Sequence, residues 1–388
     1  MNERMLAFER GRYRLVSIVR GNVYVHHATI ERGRTDAGST VHTFTGCTAS
    51  RSVAFNAPAF ECPDDEVVAA LAHLRELREL GVLDLHYSAL TRRSATLGGT
   101  AAGPIRSLSV WAVTGTARTG AGHVVPIGWS GRGEGLATLH SARGRLLSEL
   151  GAAATAAPVV PGIFAVVLAP AAAAVVVHEV GHLTEVAPEG PALAPLGTRL
   201  GSELVTIADD PLADGPGRYD YDDENVRAFA ATTVVQCGIV VNHLHSAATA
   251  RDAMTLSTPN SRAASAWHPA IPRMSNLHCR AGRVSEADLI RAVGEGLYVH
   301  RLADGVGSGG RIAARLVLAE RIRGGVRAGE YHAGGRVEES IGVLRRVVGV
   351  ADNAAFSDNA MCGRYGQLLF NVGTSSPSLA LSGFRVVA

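Results

Sequence analysis

The chain contains no lysine: all 37 basic residues among its 388 are arginine. Codon bias in a GC-rich genome accounts for that, and no functional meaning is attached to it. The arginines are interspersed with 35 acidic residues, for a formal net charge of +2, and FERGRYR is followed later by DYDDENVR. A nucleic-acid interface needs a clustered basic face, and no such cluster is present. Aromatic residues are scarce at 5%, while hydrophobic residues make up 47%, enough for a sizeable core. The five cysteines (47, 62, 237, 279, 362) show no short pairwise spacing. That excludes a compact disulfide framework and points to a reducing cytoplasm. No signal-peptide pattern opens the chain, which starts MNERMLAFERGRYR. There is no internal repeat. The uncharged run from Gly151 to Val177 is not a membrane span. Pro158, Pro161 and Pro170 interrupt it, and it runs directly into His178 and Glu179.

What is present begins with that run. GIFAVVLA predicts a buried strand, Pro170 a turn, and residues 171–183 a helix ending in VVVHEVGHLTE. His178 and His182 are four residues apart, so on a helix they lie about 40° apart around the axis. Two imidazoles on one face can grip one metal ion. Glu179 beside them can take a proton from a water that the metal activates. This pattern points to metal-assisted hydrolysis. The alternative is a pair of core histidines bonded to backbone.

Length allows two domains. Residues 13–60 alternate as an antiparallel meander, Asp64 caps a helix, and 82–97 and 107–115 return to strand patterning. Residues 132–150 pattern as an amphipathic helix. The segment 1–150 is therefore expected to be an α+β domain. Residues 151–388 are expected to form a mainly antiparallel β domain around the buried metal-binding helix. Within it VTIADD, YDYDD, RAFAATTVVQCGIVVNHL and the tail SLALSGFRVV pattern as strands. Residues 285–294 and 338–347 pattern as short helices, and Asp288 stands at capping-box spacing from Ser285. The fold class overall is α+β.

A third metal ligand is needed, with one coordination position left open. Glu185 and Pro188 exclude the metzincin extension, which requires Gly and His there. Glu203 stands at a gluzincin-like distance, but in a strand-like context. Cys362, in NAMCGRYGQ, is the other candidate, with Gly363 and Gly366 allowing the backbone to fold tightly around an ion.

Several ordered blocks together resemble the TldD/PmbA family, in its metal-bearing TldD-like branch. They are VVVHEVGHLTE, SELVTIADDP with GRYDYDDENV, PNSRAASAWHPAIPRMSN, MCGRYGQ and SPSLALSGFRVV. The resemblance covers 151–388 and, more weakly, 80–150. It implies a zinc-dependent peptidase or amidase with His178, His182 and Cys362 as ligands to Zn²⁺ and Glu179 as general base. It favours Cys362 over Glu203. It also implies a cytoplasmic dimer, either of two like chains or with a TldE/PmbA-like sister subunit, acting on a peptide or an amide-containing small molecule. A small-molecule tailoring hydrolase and a non-catalytic, metal-stabilised binding subunit are the alternatives.

Glu185 is placed to orient His182, or else to cover a solvated helix face. Arg273 could hold a substrate carboxylate or an oxyanion; the competing reading is an ion pair with Asp222 or Asp223. His268 could contact substrate, against a structural hydrogen-bonded role. Two departures from the family stand out. Its helix carries three residues between Glu and the second His, where this chain has two. That spacing predicts a plain α-helix in place of one with a π-bulge. The N-terminal region is also abbreviated, so the wall that it supplies to the cleft is expected to be shorter.

Overall fold

The computed structural model describes the backbone of strands between residues 5 and 132, and residues 148–264, 268–357 and 361–387 with their side chains. The N-terminal strands build one antiparallel sheet. Its order runs Thr40–Thr43, Asn22–Thr35, Met5–Val19, Val82–Gly98, Arg106–Arg118, Val124–Arg132. This is the meander expected from the alternation, with Met5–Val19 and Val82–Gly98 paired across the intervening chain. The helix expected after Pro63 lies outside the described residues. Of the one expected over 132–150, only the end is described, where 148–154 is helical.

The described strands beyond residue 154 form two further large sheets and two small two-stranded ones, Ser261–Arg262 with Ile271–Pro272 and Cys362–Arg364 with Gln367–Leu369. In the first, Gly162–Leu168 lies between Gly296–Ser308 and Leu379–Val387, and Arg336–Ser340 then joins Arg311–Arg323. Gly296–Ser308 also pairs with Arg311–Arg323, so these five strands close into a ring. The second sheet is centred on Ile207–Asp209, Asn276–Cys279 and Gly373–Ser376. Most pairings are antiparallel. Gly162–Leu168 with Gly296–Ser308, Ala157–Pro158 with Val326–Ala333, and Asn276–Cys279 with Gly373–Ser376 run parallel.

The Pro170–Gly181 helix lies between the two sheets. It packs on Gly162–Leu168 and Gly296–Ser308 of one, and on Asn276–Cys279 and Gly373–Ser376 of the other. Ala172, Ala173, Val176, Val177 and Val180 are buried in the main core. A helix enclosed by sheets has no need of a polar face, which explains the AAAAVVV sequence. Pro170 occupies the first turn, where a missing N–H costs nothing. At the other end Gly181 permits a close approach. A Cβ there would stand 2.5 Å from Leu277 Cδ2 and 2.8 Å from Met274 Sδ. The His182 N–H bonds back to the His178 carbonyl, an i→i−4 α-helical bond. The expected plain α-helix is therefore observed. A single 3₁₀ turn, His182–Thr184, follows it.

Two local expectations need correction. Residues 338–347 are not a helix. Arg336–Ser340 is a strand, Val343–Arg346 a 3₁₀ turn, and Val347–Val350 a second strand. Val337 and Glu339 are buried while Arg336 and Ser340 are exposed, a period of two that short apolar clusters can mask. The YDYDD segment is a turn: Asp222 Oδ1 accepts the N–H groups of Glu224 and Val226. The helix expected over 285–294 is present as Glu286–Val293, with Ser285 Oγ accepting from the Asp288 N–H at 3.1 Å. Among the described residues no helix is long and apolar enough to cross a membrane.

Candidate metal centre

His178 and His182 project from the C-terminal turn of the enclosed helix. The third group comes from far along the chain. Cys362–Arg364 and Gln367–Leu369 form a two-stranded hairpin. Its two-residue loop is Tyr365-Gly366, with φ of 48° and 73°. Positive φ at both positions is what a type I′ turn demands, and glycine meets it without strain. Gly366 therefore serves the turn. Gly363 has no comparable constraint, since a Cβ there would meet nothing closer than 3.9 Å.

The hairpin presents Cys362 Sγ 3.2 Å from His178 Nε2 and 3.4 Å from His182 Nε2. The ligand atoms of all three residues lie within 4.8 Å of one another. Among the described residues no other His, Cys, Asp or Glu joins this cluster. Glu203, the alternative third ligand, is exposed and outside it. The remote imidazole nitrogens are held from behind. His178 Nδ1 pairs with Thr374 Oγ1 at 2.9 Å, and His182 Nδ1 donates to Glu185 Oε2 at 2.8 Å.

Glu185 is completely buried and gathers three donors. Besides His182, Arg364 Nη1 donates to Oε2, and the Met274 N–H donates to Oε1 at 2.8 Å. Arg364 Nη1 also donates to the His182 carbonyl at 2.7 Å, which ties the hairpin to the helix end. The charges are strongly coupled. Burial alone would push Glu185 up, but His182 and Arg364 hold it near about 2. Burial would push His182 down, but Glu185 and Cys362 raise it to about 10. Burial would push the Cys362 thiol up, but the two imidazoles hold it well below the usual thiol range.

Arg273 does not face the cleft, and the substrate-binding role expected for it has no geometric support. It is fully buried, and its Nη2 donates to the Cys362 carbonyl at 2.6 Å. Nor does it pair with Asp222 or Asp223, whose carboxylates accept backbone N–H groups from Ser261 and Ala263. Arg273 supports the hairpin instead. Gln367 does the same from the other strand, accepting from the Ala264 N–H and donating to the Pro269 carbonyl. His268 is exposed and outside the cleft lining.

The cleft measures about 1030 Å³ and is lined by His178, Glu179, His182 and Cys362 among others. Glu179 is 7% exposed. It faces a bulged part of the Gly296–Ser308 strand, where the ladder shifts between Ala303 and Val306. A Cβ at Gly305 would stand 3.0 Å from Glu179 Oε1, and one at Gly307 3.0 Å from Oε2. Small residues there leave the carboxylate its room. Thr374, Gly305 and Gly307 carried no signal in the sequence. Arg364 lay inside the MCGRYGQ block without being singled out.

The comparisons with known proteins agree with this architecture. A family profile described as the PmbA/TldA metallopeptidase C-terminal domain matches residues 161–388. A metalloprotease of Methanothermobacter thermautotrophicus is 33% identical over 243 residues, covering 60% of this chain and 52% of the relative. A Synechocystis metalloprotease is 30% identical over 235 residues, covering 58% and 50% respectively. The chain thus spans about half the length of these curated relatives. TldE from Thermococcus kodakarensis shares the fold, with a TM-score of 0.69 at 15% identity, covering 100% of this chain and 97% of that one.

Proposed function

The chain belongs to the PmbA/TldD metallopeptidase family, and from that premise we propose that it is a zinc-dependent peptidase or amidase. The observation that carries the reading is the convergence of two imidazole nitrogens and one sulfur on a common point. Tetrahedral Zn²⁺ with Zn–S near 2.3 Å and Zn–N near 2.05 Å would separate sulfur from nitrogen by about 3.6 Å. The observed 3.2 and 3.4 Å need only a slight opening. The donor chemistry also fits, because mixed nitrogen and thiolate sets favour zinc. The same surroundings that draw a proton onto His182 and off Cys362 favour a cation between them.

Bound there, the ion would polarise a substrate carbonyl and acidify a water. The remaining work falls to the chain itself. Glu185 accepts from His182 Nδ1 and so leaves Nε2 with its lone pair toward the site. Thr374 orients His178 in the same way. Glu179, in the cleft wall, takes the proton of the attacking water and delivers it to the departing amine. A solvated base would be free to rotate away, whereas Glu179 is confined between its helix and the bulged strand. With three protein ligands in the cluster among the described residues, one position is left for substrate chemistry, which favours an enzyme over a purely structural site. The same reading includes a paired arrangement, either with a second copy or with a TldE-like subunit.

Metal analysis tests the ligand set. Wild type and Glu203→Ala are expected to hold one zinc per chain, and Cys362→Ala to lose it. Glu179→Gln is expected to keep the metal and lose peptide hydrolysis. Full zinc content in Cys362→Ala would remove the proposal.

A further inference from the structure

Among the described residues four arginines line the cleft, and three of them are already neutralised. Arg301 Nη1 meets Glu149 at 3.0 Å, Arg315 meets Asp304 at 2.6 Å, and Arg364 meets Glu185. Arg345 differs. Its Nε donates to the Arg199 carbonyl at 2.8 Å, which fixes the plane of the guanidinium. Among the described residues no carboxylate meets its terminal nitrogens. It stands on the Val343–Arg346 turn, anchored by the buried Val343 and Leu344. The Ser202 N–H holds that turn through the Leu344 carbonyl at 3.0 Å. The cation is therefore presented by a rigid support and left without an acid. Leu193, Leu302, Val306 and Ile341 supply apolar wall in the same cleft.

We propose that Arg345 is a specificity residue that binds a substrate carboxylate, so that the cleft selects anionic peptides with apolar side chains. This rests on the cleft being the substrate site of the proposed hydrolase. A guanidinium held by its Nε keeps two parallel N–H donors in the plane, the geometry that carboxylates accept in pairs. The carboxylate can come from a peptide C-terminus or from an acidic side chain. Both present the same two oxygens.

The test is binding to the full-length, zinc-loaded protein carrying Glu179→Gln, so that no probe is consumed. Three peptides carrying an uncharged coumarin label serve as probes: Ala-Leu-Leu-Ala with a free C-terminus, its C-terminal amide, and the amide of Ala-Leu-Glu-Ala. Fluorescence anisotropy is expected to show an acid-bearing probe binding about 10-fold or more tightly than the uncharged amide. Preference for the first acid assigns a C-terminal carboxylate, and preference for the third an acidic side chain. Arg345→Gln should abolish the preference, and Arg345→Lys should retain part of it. Equal affinity for all three probes overturns the inference, as does no binding up to millimolar concentration or an undiminished preference in Arg345→Gln. Uncleaved peptide in the presence of Glu179, with charge-selective binding intact, would sink the hydrolase reading and leave Arg345 as the anion reader.

Discussion

Replacing Glu185 by Gln probes the support of the proposed metal centre while keeping its shape. Three donors converge on this carboxylate: His182 Nδ1, Arg364 Nη1 and the Met274 N–H. A glutamine brings one acceptor oxygen and one NH₂ group, so at least one donor would face another donor. His182 can relieve that conflict by moving its proton to Nε2, but Nε2 is the atom turned toward Cys362. Either outcome weakens the site. Loss of such supporting contacts costs about 10–100-fold in metal affinity, or about 1.4–2.7 kcal/mol. The fold is weakened as well, because the partner Arg364 is left only 11% exposed without its anion. Breaking a buried pair from one side costs about 3–5 kcal/mol. A chelator-competition titration reads the first quantity, and thermal unfolding of the apoprotein reads the second. Glu189→Gln, at an exposed site nearby, is the control. Zinc affinity within about threefold of wild type would refute the assignment of Glu185 as the orienting group.

The bulged strand offers a second test. Gly305→Ala places a methyl 2.8 Å from Val175 Cγ1 and 3.0 Å from Glu179 Oε1. Zinc content should be unchanged, and kcat for peptide hydrolysis should fall roughly 10-fold to 100-fold as the carboxylate is displaced; an unaltered kcat would show that Glu179 does not depend on that space. A third test concerns pH. Burial pushes Asp209 up to about 6 from 3.8, despite hydrogen bonds from Ser275 and Asn260. A raised carboxyl contributes stability that is fully present below its unfolded pKa and is lost as pH rises through the folded value. Urea unfolding should show wild type losing stability relative to Asp209→Asn between pH 4 and pH 7. Parallel profiles would contradict the assignment.

The parts of the fold that were legible in sequence follow simple periodicities. The first two N-terminal strands, the Gly162–Leu168 strand, the helix after Pro170 and its α-helical hydrogen bonding all follow from local spacing. The juxtaposition of Cys362 with the two imidazoles was an expectation drawn from resemblance. No local pattern reveals a contact across 180 residues. Arg273 shows why residue type alone misleads. Its cation is buried against main-chain carbonyls of the hairpin, so a residue suited to binding substrate acts as scaffold. Thr374 and the two glycines opposite Glu179 were invisible because their roles lie in what they leave open or hold from behind. The misread segment 338–347 failed for a different reason. Its apolar residues cluster around Gly342, where strand and turn meet, and the cluster mimics a helical face.

The distance along the chain between His182 and Cys362 also fixes an order of events during synthesis. A ribosome adds about 5–20 residues per second, so roughly 10–40 s separate the translation of the second imidazole from that of the sulfur. Throughout that interval the two imidazoles lack the sulfur beside which they lie in the finished fold. Any cation captured early would be held by two ligands and readily surrendered. Under the proposed ligand set, tight loading becomes possible only once the hairpin has folded back, so an incorporated ion would mark a finished chain.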